Sequence, residues 1–69
     1  MRLNRLMNGI EIIQEYESDP WMSSEIDIIY VGKANGKAIN KISRDDDEIM
    51  RSNGWRKSHV FQCWCFKLV

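Results

Sequence analysis

Apolar residues at Leu3, Leu6, Met7, Ile10, Ile13 and Tyr16 recur at the i, i+3, i+4 and i+7 spacing of one helix face. Asn4, Asn8, Glu11 and Glu15 fall on the other face. Gly9 sits inside this pattern, where it costs about 1 kcal/mol relative to alanine but permits close approach of a sheet. The helix is expected to end near Glu17-Ser18-Asp19-Pro20, because the residue before a proline disfavours the helical region.

The period then shortens to two. From Glu25 to Gly32, Ile26, Ile28 and Tyr30 alternate with Asp27, Ile29 and Val31, the signature of a strand rich in β-branched residues. Ser43 to Gly54 reads as a short helix. Ser43 is its N-cap, Asp46 completes a variant capping box, Asp45 to Glu48 favour the positive end of the dipole, and Asn53-Gly54 stops it. In the tail, Gln62, Trp64, Phe66 and Leu68 alternate with Cys63, Cys65, Lys67 and Val69. Either one long strand or a hairpin fits. Lys57-Ser58-His59 interrupts the apolar pattern and favours the hairpin, with Gly54–Lys57 as its first arm. The order α-β-α-β-β predicts an α+β fold over residues 1–69: an N-terminal helix and one short helix on one face of a small, mainly antiparallel sheet of three to four strands.

A chain of 69 residues that is 43% hydrophobic supports one modest core. Ten basic and ten acidic residues cancel, which argues against a simple electrostatic nucleic-acid binder. The charges are nevertheless segregated. Residues 11 to 27 hold six acids and no base, residues 28 to 44 four bases and no acid, and residues 45 to 48 are all acidic. Such blocks either neutralise one another in the fold or form a two-signed surface for a charged partner. No run approaches the roughly 20 apolar residues of a membrane span. The first seven residues lack the apolar core of a secretory signal, so a cytoplasmic location is expected.

The stretch VGKANGKAIN, residues 31 to 40, has the glycines and lysines of a phosphate-binding loop. That motif needs four residues between its glycines and a hydroxyl after the lysine. Here three residues separate Gly32 from Gly36, and Ala38 follows Lys37. Asn35-Gly36 instead signals a two-residue type I′ hairpin, with Ala34 opposite Lys37 and Lys33 opposite Ala38, or failing that a plain loop.

The remaining chemistry points away from catalysis. His59 and Cys63 on one strand stand roughly 13 Å apart, too far to share an ion unless the chain bends, and a lone C-x-C with one histidine does not make a structural zinc site. Cys63 and Cys65 read as packed thiols. Neither a catalytic residue, a metal nor a cofactor is expected. Asp27 either faces solvent or pairs with Lys41 across the hairpin. Trp64 reads as core, and Trp55 as a staple between helix and sheet. Trp21 follows Asp19-Pro20 in a connection, where it packs on the first helix or stays free for a partner. Arg56, Lys57 and Lys67 with Lys33, Lys37 and Lys41 offer a basic face suited to RNA or single-stranded DNA.

Read together, GIEIIQEYESDPWMSSEIDIIYVG, DDDEIMRSNGW and WCFKLV resemble a group of small orphan proteins of phages and prophages. The matching positions are Gly9 to Tyr16, Glu25 to Gly32, Gly54-Trp55, and Trp64 with Phe66. The chain departs from that pattern at Ile26, where the group carries histidine, and in the lysine-containing piece between Gly32 and Ser43. The resemblance implies a phage or mobile-element origin and carries no mechanism. With the absent catalytic chemistry and the segregated charges, the expected function is binding of a host or defence-system protein so as to inhibit or modify it, as an anti-CRISPR-type inhibitor does. The expected contact residues are Trp21, Lys33, Asn35, Lys37 and Lys41, in a monomer or small homo-oligomer. The alternative is a small nucleic-acid-binding accessory protein that uses the lysine-bearing hairpin.

Overall fold

A computed structural model describes residues 3–68. Its elements are α1 (Leu3–Tyr16), β1 (Met22–Glu25), β2 (Ile28–Val31), α2 (Lys37–Asn40), α3 (Arg44–Ser52), β3 (Trp55–Lys57) and β4 (Trp64–Lys67). The four strands form one antiparallel sheet in the order β1-β2-β4-β3. The fold is the expected α+β arrangement with four strands, and an extra helical turn, α2, beside the two expected helices. Val69, placed by the alternation opposite Trp64, lies outside the described residues.

Directly paired residues share a face of the sheet. Ile29 pairs with Phe66, Val31 with Trp64 and Trp55 with Phe66, so these side chains point the same way, into the core. Against them pack Ile12 and Ile13 of α1, Ala38 of α2 and Met50 of α3. Trp55 and Trp64 are fully buried, as their positions in the sequence predict. Each indole N–H is satisfied, Trp55 Nε1 donating to the Arg5 carbonyl and Trp64 Nε1 to that of Ala38. Among the described residues, no helix lies against the other sheet face, which runs through Tyr30, Cys65 and Arg56.

The helix α1 is turned about its axis relative to the expected face. Gly9, Ile12 and Ile13 are its buried residues, whereas Leu3 and Met7 are exposed. The cause is Trp55, which packs against Gly9 and draws that side of the helix inward. The α3 N-terminus forms as predicted, Ser43 Oγ accepting from Asp46 N–H. The return half of the capping box is relayed: Ser43 N–H donates to Tyr16 Oη at 2.9 Å, and that hydroxyl donates to Asp46 Oδ2 at 2.6 Å.

Two expectations about strands are corrected. The segment Glu25–Gly32 is not one strand. Glu25 pairs with Ile28, so Ile26 and Asp27 form the turn of a β1–β2 hairpin, and Ile26 is fully exposed at φ 49°. The Asn35-Gly36 hairpin does not form either. Type I′ needs positive φ at both residues, but only Asn35 has it, at 55°, while Gly36 is extended at φ −78° and starts α2. A turn closed by Gly36 N–H to the Lys33 carbonyl leads directly into that helix. The proposed Asp27–Lys41 pair across the hairpin is lost with it: Asp27 accepts from Leu68 N–H through its carbonyl, and Lys41 ends α2.

Candidate functional site

The stretch from Gly32 to Ala38 gathers backbone amides around an anion, and the anion is the chain's own Glu17. Its Oε1 accepts from Lys33 N–H at 2.8 Å and its Oε2 from Ala38 N–H at 3.1 Å. Gly36, the N-cap of α2, has no capping side chain, so Glu17 supplies the missing cap from the end of α1. The carboxylate fits because Gly36 has no side chain; a β-carbon there would lie 2.7 Å from Glu17 Oε2. Gly32 adopts φ +109°, which favours glycine, and donates its N–H to the Trp21 carbonyl at 2.7 Å. Asn35 N–H donates to the Gln62 carbonyl, and Asn40 Nδ2 to the Asn35 carbonyl. The loop is thus held from four directions, which pre-organises whatever it displays.

What it displays is cationic and aromatic. Lys33, Asn35 and Lys37 are exposed and, with Tyr16, Glu17 and Ser18, line an open depression of about 440 Å³. Trp21 stands at the base of the same loop through its bond to Gly32 and is 65% exposed, so it does not use α1 as cover. Three of the five predicted contact residues, Lys33, Asn35 and Lys37, therefore line one depression, and the backbone of Trp21 adjoins their loop. Lys41 lies one helical turn beyond Lys37 and bonds back to its carbonyl.

The expected six-residue basic face is split. Arg56 and Lys67 lie in rows on the outer sheet face, beside Tyr30 and Phe61, whose rings meet edge to face at 4.6 Å. Lys57 turns to the helix side and pairs with Asp47 at 3.1 Å, under 6 Å from the Trp64 ring. Asp47 also binds Arg51 at 2.6 Å. Burial acts to raise the Asp47 pKa, but hydrogen bonds from Arg51 and Lys57 outweigh it and hold the carboxyl below its usual value.

Burial pushes the pKa of both Cys63 and Cys65 above that of a free thiol, and no disulfide joins them. They are protonated, weakly nucleophilic groups at neutral pH. Among the described residues, no three His, Cys, Asp or Glu side chains gather as metal ligands do, and no helix is long and apolar enough to cross a membrane. Glu17, the residue that organises the site, is not visible in the sequence as such, because nothing in its spacing ties it to amides 16 and 21 residues away. No family model, curated protein or solved structure matches this chain.

Proposed function

We propose that this chain is an accessory protein of phage or mobile-element origin that acts by binding a host or defence-system protein and inhibiting or modifying it, without chemistry of its own. The observation that carries this reading is the lysine-rimmed depression, with the exposed Trp21 tied to its loop through the Gly32 N–H. Tryptophan anchors dominate protein interfaces, and a pre-organised loop loses little entropy on binding. The partner surface that fits is acidic with an apolar recess for the indole. Lys33 and Lys37 have that charge to offer: among the described residues neither is in an ion pair, and Glu17, in the same depression, accepts from backbone amides.

The test is affinity capture from host lysate with the wild-type chain, with Trp21→Ala, and with the Lys33→Glu/Lys37→Glu pair. A protein recovered by the wild type, resistant to nuclease and lost with both variants, supports the reading. Recovery that survives both variants overturns it.

The nucleic-acid alternative is favoured by a different observation, the Tyr30–Phe61 pair flanked by Arg56 and Lys67 on the uncovered sheet face. Bases stack on such aromatics over a sheet. Capture that nuclease abolishes, and that Arg56→Glu/Lys67→Glu removes while Lys33→Glu/Lys37→Glu does not, selects this reading.

A further inference from the structure

The uncovered sheet face is graded in charge from one edge to the other. In the strand order β1-β2-β4-β3, the register places Glu25, then Tyr30, then Cys65 and Lys67, and last Arg56 on this side. Glu25 is the one acid among the strand residues, and it stands at the β1 edge. The aromatic ring follows on β2, and both cations lie beyond it on β4 and β3. Phe61, from the loop between β3 and β4, meets the Tyr30 ring edge to face at 4.6 Å.

Both cations are available to a ligand. Lys57, the other base of β3, turns to the inner side and is committed to Asp47. Among the described residues, Arg56 and Lys67 take part in no ion pair, and both are exposed. Arg56 Nη1 donates to the Trp55 carbonyl at 2.8 Å and to the Arg51 carbonyl at 3.3 Å. These bonds fix the guanidinium without neutralising it. Phe61 is 43% exposed yet held in place. Its N–H donates to Ser58 Oγ, and Gln62 N–H closes the loop onto the Ser58 carbonyl.

Spacing then selects the ligand. Tyr30 and Arg56 flank Cys65 from the two neighbouring strands, and Lys67 lies two residues on from Cys65. With strands about 4.8 Å apart and about 3.4 Å per residue, the Lys67 Cα stands roughly 8 Å from those of Tyr30 and Arg56. One nucleotide spans such a gap, its base against the aromatic pair and its phosphate at a cation. A duplex keeps its base faces inside the stack and offers the rings nothing, whereas a single strand can splay a base onto them. Glu25 sets the orientation, because it repels phosphate from the β1 side.

We infer that the outer sheet face is a nucleic-acid site specific for single strands, with a base stacked against Tyr30–Phe61 and phosphates over Lys67 and Arg56. The inference rests on the nucleic-acid reading above and adds to it the strand class and the direction of the bound nucleotide. One stacked base and two phosphate contacts make a weak site, with a Kd on the order of 100 µM.

Fluorescence anisotropy with a labelled oligothymidine of about eight nucleotides, and with a duplex of equal length, tests it over a range of salt. The single strand should bind at least tenfold more tightly than the duplex. Its log K should fall against log salt with a slope of about −1.4, about 0.7 for each phosphate contact. Lys67→Gln and Arg56→Gln should each remove about half of that slope. Phe61→Ala should weaken binding about tenfold and leave the slope unchanged, as loss of stacking requires. Phe61→Leu keeps apolar bulk in the loop and should do the same should the alanine variant misfold. Lys33→Gln/Lys37→Gln should change nothing. Equal binding of duplex and single strand overturns the inference and leaves the broader nucleic-acid reading standing. No binding of either at about 1 mM protein overturns both. Single-strand binding that ignores a folded Phe61 variant, or that is lost with Lys33→Gln/Lys37→Gln, places the strand elsewhere and overturns the inference.

Discussion

The indole of Trp55 occupies the space that a side chain on Gly9 would fill, with its Nε1, Cε2 and Cδ1 nearest. The same nitrogen donates to the Arg5 carbonyl one turn earlier in α1, so the ring is fixed against the helix backbone itself. Gly9→Ala gains about 1 kcal/mol of helix propensity. It also forces a fully buried ring to move, and overpacking costs about 1–3 kcal/mol. The expected outcome is a net loss of stability, read as a fall of several degrees in Tm for a domain of this size. A stabilised variant would contradict the contact.

Tyr16 Oη holds two elements in register by accepting from Ser43 N–H and donating to Asp46. Tyr16→Phe keeps the ring and deletes both bonds, leaving the first turn of α3 half-capped. A loss of about 1–2 kcal/mol follows. Exchange of the Ser43 amide should accelerate. Because Ser43→Ala strikes the same network, the double variant should lose less than the sum of the two.

Glu17→Gln separates geometry from charge. A carboxylate offers an acceptor to each of the Lys33 and Ala38 amides; a carboxamide offers one acceptor and turns an NH₂ toward the other N–H. Both bonds are near the surface, so the stability cost should be about 1 kcal/mol. Faster amide exchange should be confined to Lys33 through Ala38. If exchange accelerates evenly across the sheet instead, Glu17 has a global role and does not organise this loop in particular.

These contacts explain what the sequence did and did not reveal. The α3 caps, the β3–β4 hairpin and the buried Trp55 and Trp64 were legible because their signals lie within a few residues. Asn35-Gly36 carried an equally strong local signal and misled. Ala38 is needed beneath Trp64, and Glu17 needs its amide, so two distant partners outweigh the turn preference. β1 was missed because Met-Ser-Ser-Glu has little strand propensity and its hairpin turns on Ile26, a residue that no turn rule selects. Of the site, the lysines and Trp21 could be named, but not the depression that Lys33, Asn35 and Lys37 line, which depends on the distant Glu17.

Asp47 ties α3 to β3 through Lys57, with Arg51 on its own helix sharing the carboxylate. Its folded pKa lies below the usual 3.8. A depressed carboxyl pKa contributes stability that is fully present above the unfolded value and is lost as pH falls through the folded one. Asp47→Asn should therefore be less stable than the wild type by about 0.5–1 kcal/mol at neutral pH. The gap should persist down to about pH 4 and close below it. A gap that is constant from neutral pH into that acid range would assign the effect to packing.

Ile26 combines two features that stability alone does not select. It is fully exposed, and it holds a β-branched side chain at φ 49°. The left-handed region costs such a residue about 1–2 kcal/mol, a cost that asparagine largely avoids. Ile26→Asn should raise stability by about 1 kcal/mol, measured by urea denaturation with an unchanged m-value. Strain of this kind persists where surrounding structure or function demands it. Applied to the capture experiment, the same variant decides which. Unchanged capture with higher stability leaves Ile26 as a strained turn residue only, whereas weakened capture extends the binding surface from Trp21 along β1 to the hairpin tip.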